Sequence, residues 1–569
     1  MAENKLNVRT SQVSKRQLAT LCIPIAFLSF ILTQNIRILN PRHVGWLWGS
    51  GDISSSFTQW IYFRKTPLFQ WPLTVNPLFG SPWTRTIVFT DTPPLFALPF
   101  KYFLNQIDGL IQYTGLQILL STFLLVLFSA LCIEYLTHDS IYSLLGGFCI
   151  SISPFLIFRD VIFHYSLNVM WVIPASIFLV LAKRINRFSW QWALLVFISL
   201  VWMPYFVVPV LLFWLPLFFY LLRLQQISKS VGLQSVVSII FAGLIALVIN
   251  GFWFNSSSSA DYGFGYYNAN LLSIINPITG GAALNWKFSD NATWSLLLPG
   301  FRNATDGQYE GFAFIGLGLT AVVILASILL IANHQKIALL KSQYSQTLGL
   351  SSLLAFVFAT GFSFDVGRIH LFTIGIPEVL SPLFGMFRSS GRFMLVFSFV
   401  LSISSLALTR KFLSRWLAIS IVLVSIFSTY LDSGHQIRIN KLQQSVERPI
   451  TPLTETVLGI LDLYDIEIVT FIPPENSAYE WKMAILAATA IRNLPVNDIF
   501  AARPNNPRLA EEREMVTDRF MSSTPRKNEM WVVYPEFASS QPGRLSGLGI
   551  DNCLIEADST LLIIRGNCQ

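Results

Sequence analysis

The feature that most constrains this chain is a series of apolar stretches, each about twenty residues long, separated by short basic clusters. Such stretches fall near 19–39, 113–136, 142–158, 165–182, 188–202, 205–222, 233–254, 311–333, 346–362, 392–409 and 415–431. Soluble domains carry about a quarter charged residues, whereas here the charged share is 12% and the hydrophobic share 53%. The pattern predicts a polytopic α-helical membrane protein with about eleven transmembrane helices. Lys15 and Arg16, Lys183 with Arg184 and Arg187, and Arg410 with Lys411 and Arg415 all cap apolar runs. Counting spans from an N-terminus inside places each of these clusters inside and the C-terminus outside. The net charge of +8 is therefore topogenic. No basic run carries the interleaved aromatics of a nucleic-acid groove, so no nucleic-acid partner is expected. The first apolar run lacks a small-residue cleavage site and reads as a retained helix.

That topology divides the chain into a transmembrane domain, 1–432, and a C-terminal outer domain, 433–569. Long outer loops lie at 41–110, 255–310 and 363–391. Loops of such length are usually functional. Within the first, the apolar stretch 92–104 is only thirteen residues long and holds three prolines, so an interfacial helix is expected rather than a span. Beyond 433 the polarity is ordinary. Strand-like runs at 466–472, 530–534, 553–557 and 561–565 with a helical stretch at 478–492 suggest a small α/β domain. Cys22, Cys132 and Cys149 lie in apolar runs and read as small buried hydrophobes. Cys553 and Cys568 flank the last strand pair and, outside the membrane, can close it as a disulfide. No paired C-x-x-C spacing exists for a metal.

Ionisable groups near a membrane are expensive, and under this topology they gather on the outer face. Asp52, in GDISSSF, suits a general base or a helix cap. Asp91, in FTDTPPL, is the second carboxylate of the loop, with helix initiation as its plainer role. Arg159, Asp160 and His164 follow at the outer end of the third span; a simple Arg159–Asp160 ion pair is one expectation, and Arg159 facing a cavity is the other, since consecutive helical residues point in different directions. The 255–310 loop offers Tyr266, Tyr267, Asn268, Asn270 and Tyr309 as a sugar-facing surface. Glu310 stands where the eighth span should begin, either functional or compensating the helix dipole. Arg368, His370, Arg388 and Arg392 put cations on the side where they are disfavoured, which phosphate recognition or lipid headgroups would justify.

These motifs, in this order, resemble the GT-C superfamily of polyprenyl-phosphate-sugar glycosyltransferases. More closely, Gly51-Asp52, TDTPPLFAL from Thr90, GFGYYNANLLSIINP from Gly263, DGQYEGFAFIGLG from Asp306 and FRSSGRF from Phe387 look like an uncharacterised bacterial branch of it. The resemblance implies a bacterial inner-membrane enzyme with its site and C-terminal domain on the periplasmic side. The donor would be a polyprenyl-phosphate sugar and the transfer inverting, to a glycan, lipid or protein acceptor. Asp52 takes the place of the first-loop catalytic aspartate. Arg159 and Asp160 stand near the donor, and Arg388 and Arg392 near the leaving phosphate. Many members show paired acids in that loop, whereas this chain has Gly51-Asp52, which makes a divalent metal doubtful and leaves no cofactor expected. A lipid-linked-glycan transporter or flippase is the rival class, and it should scatter polar residues through the spans. A non-catalytic glycan-assembly protein is the third.

Overall fold

The computed structural model describes residues 15–48, 51–80, 86–186, 189–252, 263–279, 293–333, 343–501, 506–548, 552–558, 560–566 and 568. It is a polytopic helical bundle. Among the described residues, seven helices are long and apolar enough to cross a membrane: Lys15–Thr33, Thr114–Thr137, Ser140–Val161, Pro204–Arg223, Lys229–Asn250, Ser390–Phe412 and Arg415–Asp432. Four shorter apolar helices, Tyr165–Leu181, Trp190–Trp202, Leu317–Ala332 and Tyr344–Ala359, fill the remaining expected places. The stretch at 92–104 forms the helix Pro94–Leu104, whose 11 residues reach roughly 16 Å, half of a hydrocarbon core.

Polar contacts and prolines set the boundaries that hydropathy blurs. The first helix stops at Thr33, six residues before the apolar run ends, because Gln34 turns inward to Asp160 and Asn35 caps a 3-10 turn, Ile36–Leu39. The third apolar run opens on Asp139, whose carboxylate caps Tyr142 N, and breaks at Ser153 before Pro154 restarts it as Pro154–Val161. The eighth helix begins at Leu317, not near Glu310. Gly316 sits before it at φ 94°, and a Cβ there would lie 2.7 Å from Thr429. Glu310 instead belongs to a 3-10 turn, Asp306–Gly311, so compensating a helix dipole is not its role.

The two ends of the bundle differ in chemistry. At one end Asp139 meets Arg410 Nε at 2.9 Å and Arg415 Nε at 3.0 Å, pinning one helix–helix turn to another. At the opposite end the first loop, the segments 263–279 and 293–316, and the 360–393 loop converge. The last of these carries a two-stranded antiparallel hairpin, β1 (Ser363–Val366) and β2 (Ile369–Thr373).

The C-terminal domain also packs at that end. Its sheet, in the order β3-β4-β6-β5, comprises β3 (Ile468–Ile472), β4 (Glu529–Val533), β5 (Asn552–Ala557) and β6 (Thr560–Arg565). The β3 and β4 strands run parallel, and the rest of the sheet is antiparallel. A fully buried Lys482–Asp498 ion pair of 2.8 Å lies beneath it, with Tyr534 donating to Asp498 at 2.7 Å. The domain grips the first loop: Tyr62 donates to Leu494 O at 2.6 Å, Lys65 to Ile491 O at 2.9 Å, and Gly80 N to Val496 O at 3.0 Å. Cys553 and Cys568 are joined by a disulfide across a 15-residue separation. Replacing both by serine should cost the hairpin about 3 kcal/mol through the freed loop entropy. Hydrogen exchange of the β5–β6 amides would show this as faster opening, and unchanged protection would contradict it.

Candidate active site

Asp52 lies in the first turn of the helix Gly51–Lys65, which starts on a Gly51 with φ 47°. Its side chain, 36% exposed, accepts a contact from His164 Nε2 at 3.1 Å. His164 reaches it from the turn after Pro154–Val161, where Phe163 adopts φ 62°. Asp91 closes the 3-10 turn Ile87–Thr90 in the left-handed region, φ 56°, and the following helix takes Pro93 as its cap instead. Ser56, one turn along from Asp52, donates to Asp91 O at 3.0 Å, while Thr92 Oγ1 donates to Ser56 O at 3.1 Å. The first loop thus folds its two isolated aspartates against the same cavity, bounded also by Ser56, Gln117, Phe163 and Ser166.

Their environments push the two carboxyls apart. Burial raises Asp52, but the hydrogen bond and charge of His164, together with the Arg392 charge, hold it net below its ordinary value. Asp91 moves up to about 6, because burial and the ionised Asp52 outweigh His164, Arg392 and a hydrogen bond to Ser166. One carboxylate stays ionised while its neighbour holds a proton into the mildly acidic range, an arrangement that separates base from acid. Asp91 binds its proton more tightly folded than unfolded. That proton's contribution to stability is complete below the ordinary 3.8 and is lost as pH rises through about 6. Infrared titration of the Asp91 carboxyl should therefore find a midpoint near 6, and Asp52→Asn should lower it by removing the opposing charge. A midpoint unmoved by that substitution would refute the coupling.

Beside this pair lies a charge cluster built from three distant segments. Arg159, fully buried, donates from Nη1 to Glu310 Oε2 at 2.7 Å and from Nη2 to Glu310 O at 2.6 Å. Arg392 grips the same carboxylate through Nε at 3.0 Å and Nη2 at 2.6 Å, with its guanidinium 5.0 Å from the centre of the Tyr205 ring. Burial would raise Glu310, but the two guanidiniums hold it far below the usual carboxylate range. Arg388 Nη2 donates to Tyr267 OH at 2.8 Å and its guanidinium covers that ring at 4.6 Å. Gly391 packs tightly on Gly311. A Cβ on Gly391 would stand 2.7 Å from the Gly311 Cα, so only glycine fits where the two loops cross.

Asp52, Asp91, His164, Arg159, Glu310 and Arg392 are thus brought into neighbouring positions, and Arg388 lies on Tyr267, whose ring stands 6.2 Å from that of Tyr309. The remaining sequence candidates lie elsewhere in the scaffold. Arg159 turns to Glu310 rather than pairing with Asp160. Asp160 instead accepts from Gln34 at 2.7 Å and Asn168 at 3.2 Å, in a buried network that continues from Gln34 to Asn440 and Gln444. Asn268 and Asn270 are fully buried and donate to Thr360 O and Gly367 O, both at 2.8 Å, so their amides brace loops. Tyr266 is exposed and stands edge-on to Tyr267. His370 pairs with Asp365 at 2.8 Å in the β1–β2 hairpin, and Arg368 occupies the same hairpin's turn, so neither joins the Asp52 site. Among the described residues, no three His, Cys, Asp or Glu side chains cluster as metal ligands. Ser56, Ser166, Gln117 and Tyr205 are additions that the sequence did not single out. Only the Pro204 break beside Tyr205 carries a local signal.

No curated protein matches the chain. The fold is similar to the crystal structure of ArnT from Cupriavidus metallidurans bound to undecaprenyl phosphate. That similarity covers 97% of this chain and 98% of the other, at 10% identity and a TM-score of 0.48. The family described as Domain of unknown function (DUF6311) matches residues 23–428, which is most of the bundle and all of the site's charged residues. The chain belongs to that family.

Proposed function

We propose that this protein is a membrane glycosyltransferase that moves a sugar from a polyprenyl-phosphate donor to an acceptor hydroxyl at the outer face, with inversion. The observation that carries this is the Asp52 carboxylate, met by His164 Nε2 at 3.1 Å and lining one cavity with Asp91 beside the arginine cluster. Asp52 takes the proton from the acceptor hydroxyl as its oxygen attacks the anomeric carbon. The bond from that carbon to the phosphate oxygen breaks, and the lipid phosphate departs with the electron pair. His164 holds the Asp52 oxygen in place. Arg159 and Arg392 share the single Glu310 carboxylate, which leaves that cluster a net positive charge beside the site, and we assign the contact with the leaving phosphate to Arg388, partly exposed on Tyr267. Such a donor carries its own activated leaving group. Inverting transfer then needs only a base on one side and positive charge on the other, and no nucleotide loop or metal is assigned. Arg410 and Arg415 at the opposite end suit the inside, which supports reading the site and the C-terminal domain as outside.

The test is donor turnover. Purified protein in nanodiscs is incubated with a panel of polyprenyl-phosphate sugars, and release of polyprenyl phosphate is followed with and without a mixed envelope-glycan extract. Consumption of one donor supports the proposal. Stable binding and unchanged donor across the panel, with the extract present, would overturn it in favour of carriage.

A further inference from the structure

A second cavity of about 310 Å³ lies against the Asp52 site and has no role in the chemistry above. Its walls come from both ends of the sequence. One is the 3-10 turn Gly45–Trp48; the other is the segment from Gln443 to Pro452 that leads into the C-terminal domain. Phe163 bounds this groove and the Asp52–Asp91 cavity alike, so the two adjoin at one ring.

Hydrogen bonds and ring contacts brace the groove. Trp46 is buried, donates its indole N–H to His43 O at 3.0 Å and stands edge-on to Tyr165 at 5.1 Å. Trp48 is partly exposed, donates to Pro449 O and meets Phe57 of the Asp52 helix edge-on at 4.8 Å. His43 contacts Gln444 O at 2.8 Å, and Gln444 Oε1 accepts from Asn35 N at 2.8 Å. Gly45 lets the walls close: a Cβ there would collide with the carbonyl oxygens of Val446 and Arg448. Gln443 is among the lining residues, and its Oε1 is buried and accepts no hydrogen bond among the described residues.

We propose that the groove is an acceptor subsite that binds a pyranose ring. The proposal rests on the transferase function above and gives it an acceptor class. Aromatic faces with a few placed polar groups, in a cavity of this size, are how small polar-edged ligands are held. The Trp48 and Phe163 rings suit the apolar faces of a sugar, and the Gln443 carbonyl requires a donor. A sugar hydroxyl supplies that donor; the hydrocarbon of a polyprenyl chain has none. A ring seated here lies beside Phe163, next to the base.

The test measures binding alone, on the full-length protein in nanodiscs without detergent. Methyl glycosides of glucose, mannose, rhamnose and N-acetylglucosamine are titrated by saturation-transfer NMR, with geranylgeranyl phosphate as a separate probe. At least one glycoside should saturate, and Gln443→Leu should weaken it about five- to tenfold, the loss of one hydrogen bond. Trp48→Phe, which keeps a ring on Phe57 but gives up the indole hydrogen bond to Pro449 O, should weaken it less. The absence of saturable glycoside binding would overturn the proposal. So would a Gln443→Leu effect confined to geranylgeranyl phosphate, which would mark the groove as a lipid site. Glycoside binding that responds to Gln443→Leu in a protein that consumes no donor would keep the groove and remove the transferase reading. Donor consumption without glycoside binding would do the reverse.

Discussion

Asp52→Asn should lower the rate of sugar transfer by about a hundred- to ten-thousandfold, the usual contribution of a positioned general base. Asparagine keeps the shape and can still meet His164, so the loss would report the missing proton acceptor, not a collapsed loop. Donor affinity should stay within a factor of a few, because phosphate contacts are assigned to Arg388 and not to Asp52. The measurement is single-turnover transfer with the donor identified by the panel, alongside equilibrium donor binding. A variant with wild-type turnover would remove Asp52 from the mechanism and shift attention to Asp91. Loss of donor binding in parallel would instead make Asp52 part of the donor site. His164→Gln offers a graded companion: it retains a donor for Asp52 and should leave more activity than His164→Ala.

The second large effect is on stability. Glu310→Gln should destabilise the folded protein by about 3–5 kcal/mol, the usual result of stripping the counter-charge from a buried ion pair. Arg159 has no exposed surface and Arg392 little, so water cannot take the place of the carboxylate. Thermal unfolding in nanodiscs, followed by tryptophan fluorescence, gives the comparison. Arg159→Met alone should also destabilise. The double variant should lose less than the sum, because Met removes the charge that Glu310→Gln strands. Equal melting temperatures for wild type and Glu310→Gln would show that the cluster contributes nothing to the fold. Because the folded Glu310 carboxyl sits below its ordinary value, its stabilisation is complete above the ordinary 4.5. It is lost only as pH falls toward that lowered value.

The bundle was largely legible in the sequence because hydropathy is a local signal: each apolar run carries its own evidence of burial. Breaks inside the runs were less legible. The stop at Thr33 depends on Gln34 finding Asp160, a partner 126 residues away. The late start at Leu317 depends on Gly316 meeting Thr429. At the site, residue types were readable but pairings were not. Asp52 and Glu310 could be noticed as isolated acids, yet nothing local links Asp52 to His164, or Glu310 to Arg159 and Arg392. Adjacent Arg159 and Asp160 left both an ion pair and divergence open; the helix sends them to opposite neighbours, but which neighbours could not be read locally. The β1–β2 hairpin went unread because β2, fully exposed along its length, shows no buried face to set an alternating pattern.

The grip of the C-terminal domain on the first loop also has a consequence for the order of synthesis. Tyr62 on the Asp52 helix is fastened to Leu494, 432 residues further along, and Ser55 on the same helix to Phe500. At about 5–20 residues per second, a ribosome needs roughly 20–90 s to make that intervening chain. Throughout that interval the membrane holds a growing bundle whose first loop lacks its clamp. Premature termination before about residue 490 would leave an inserted protein with its aspartates unfixed, so completeness of the polypeptide is itself a condition for an assembled site.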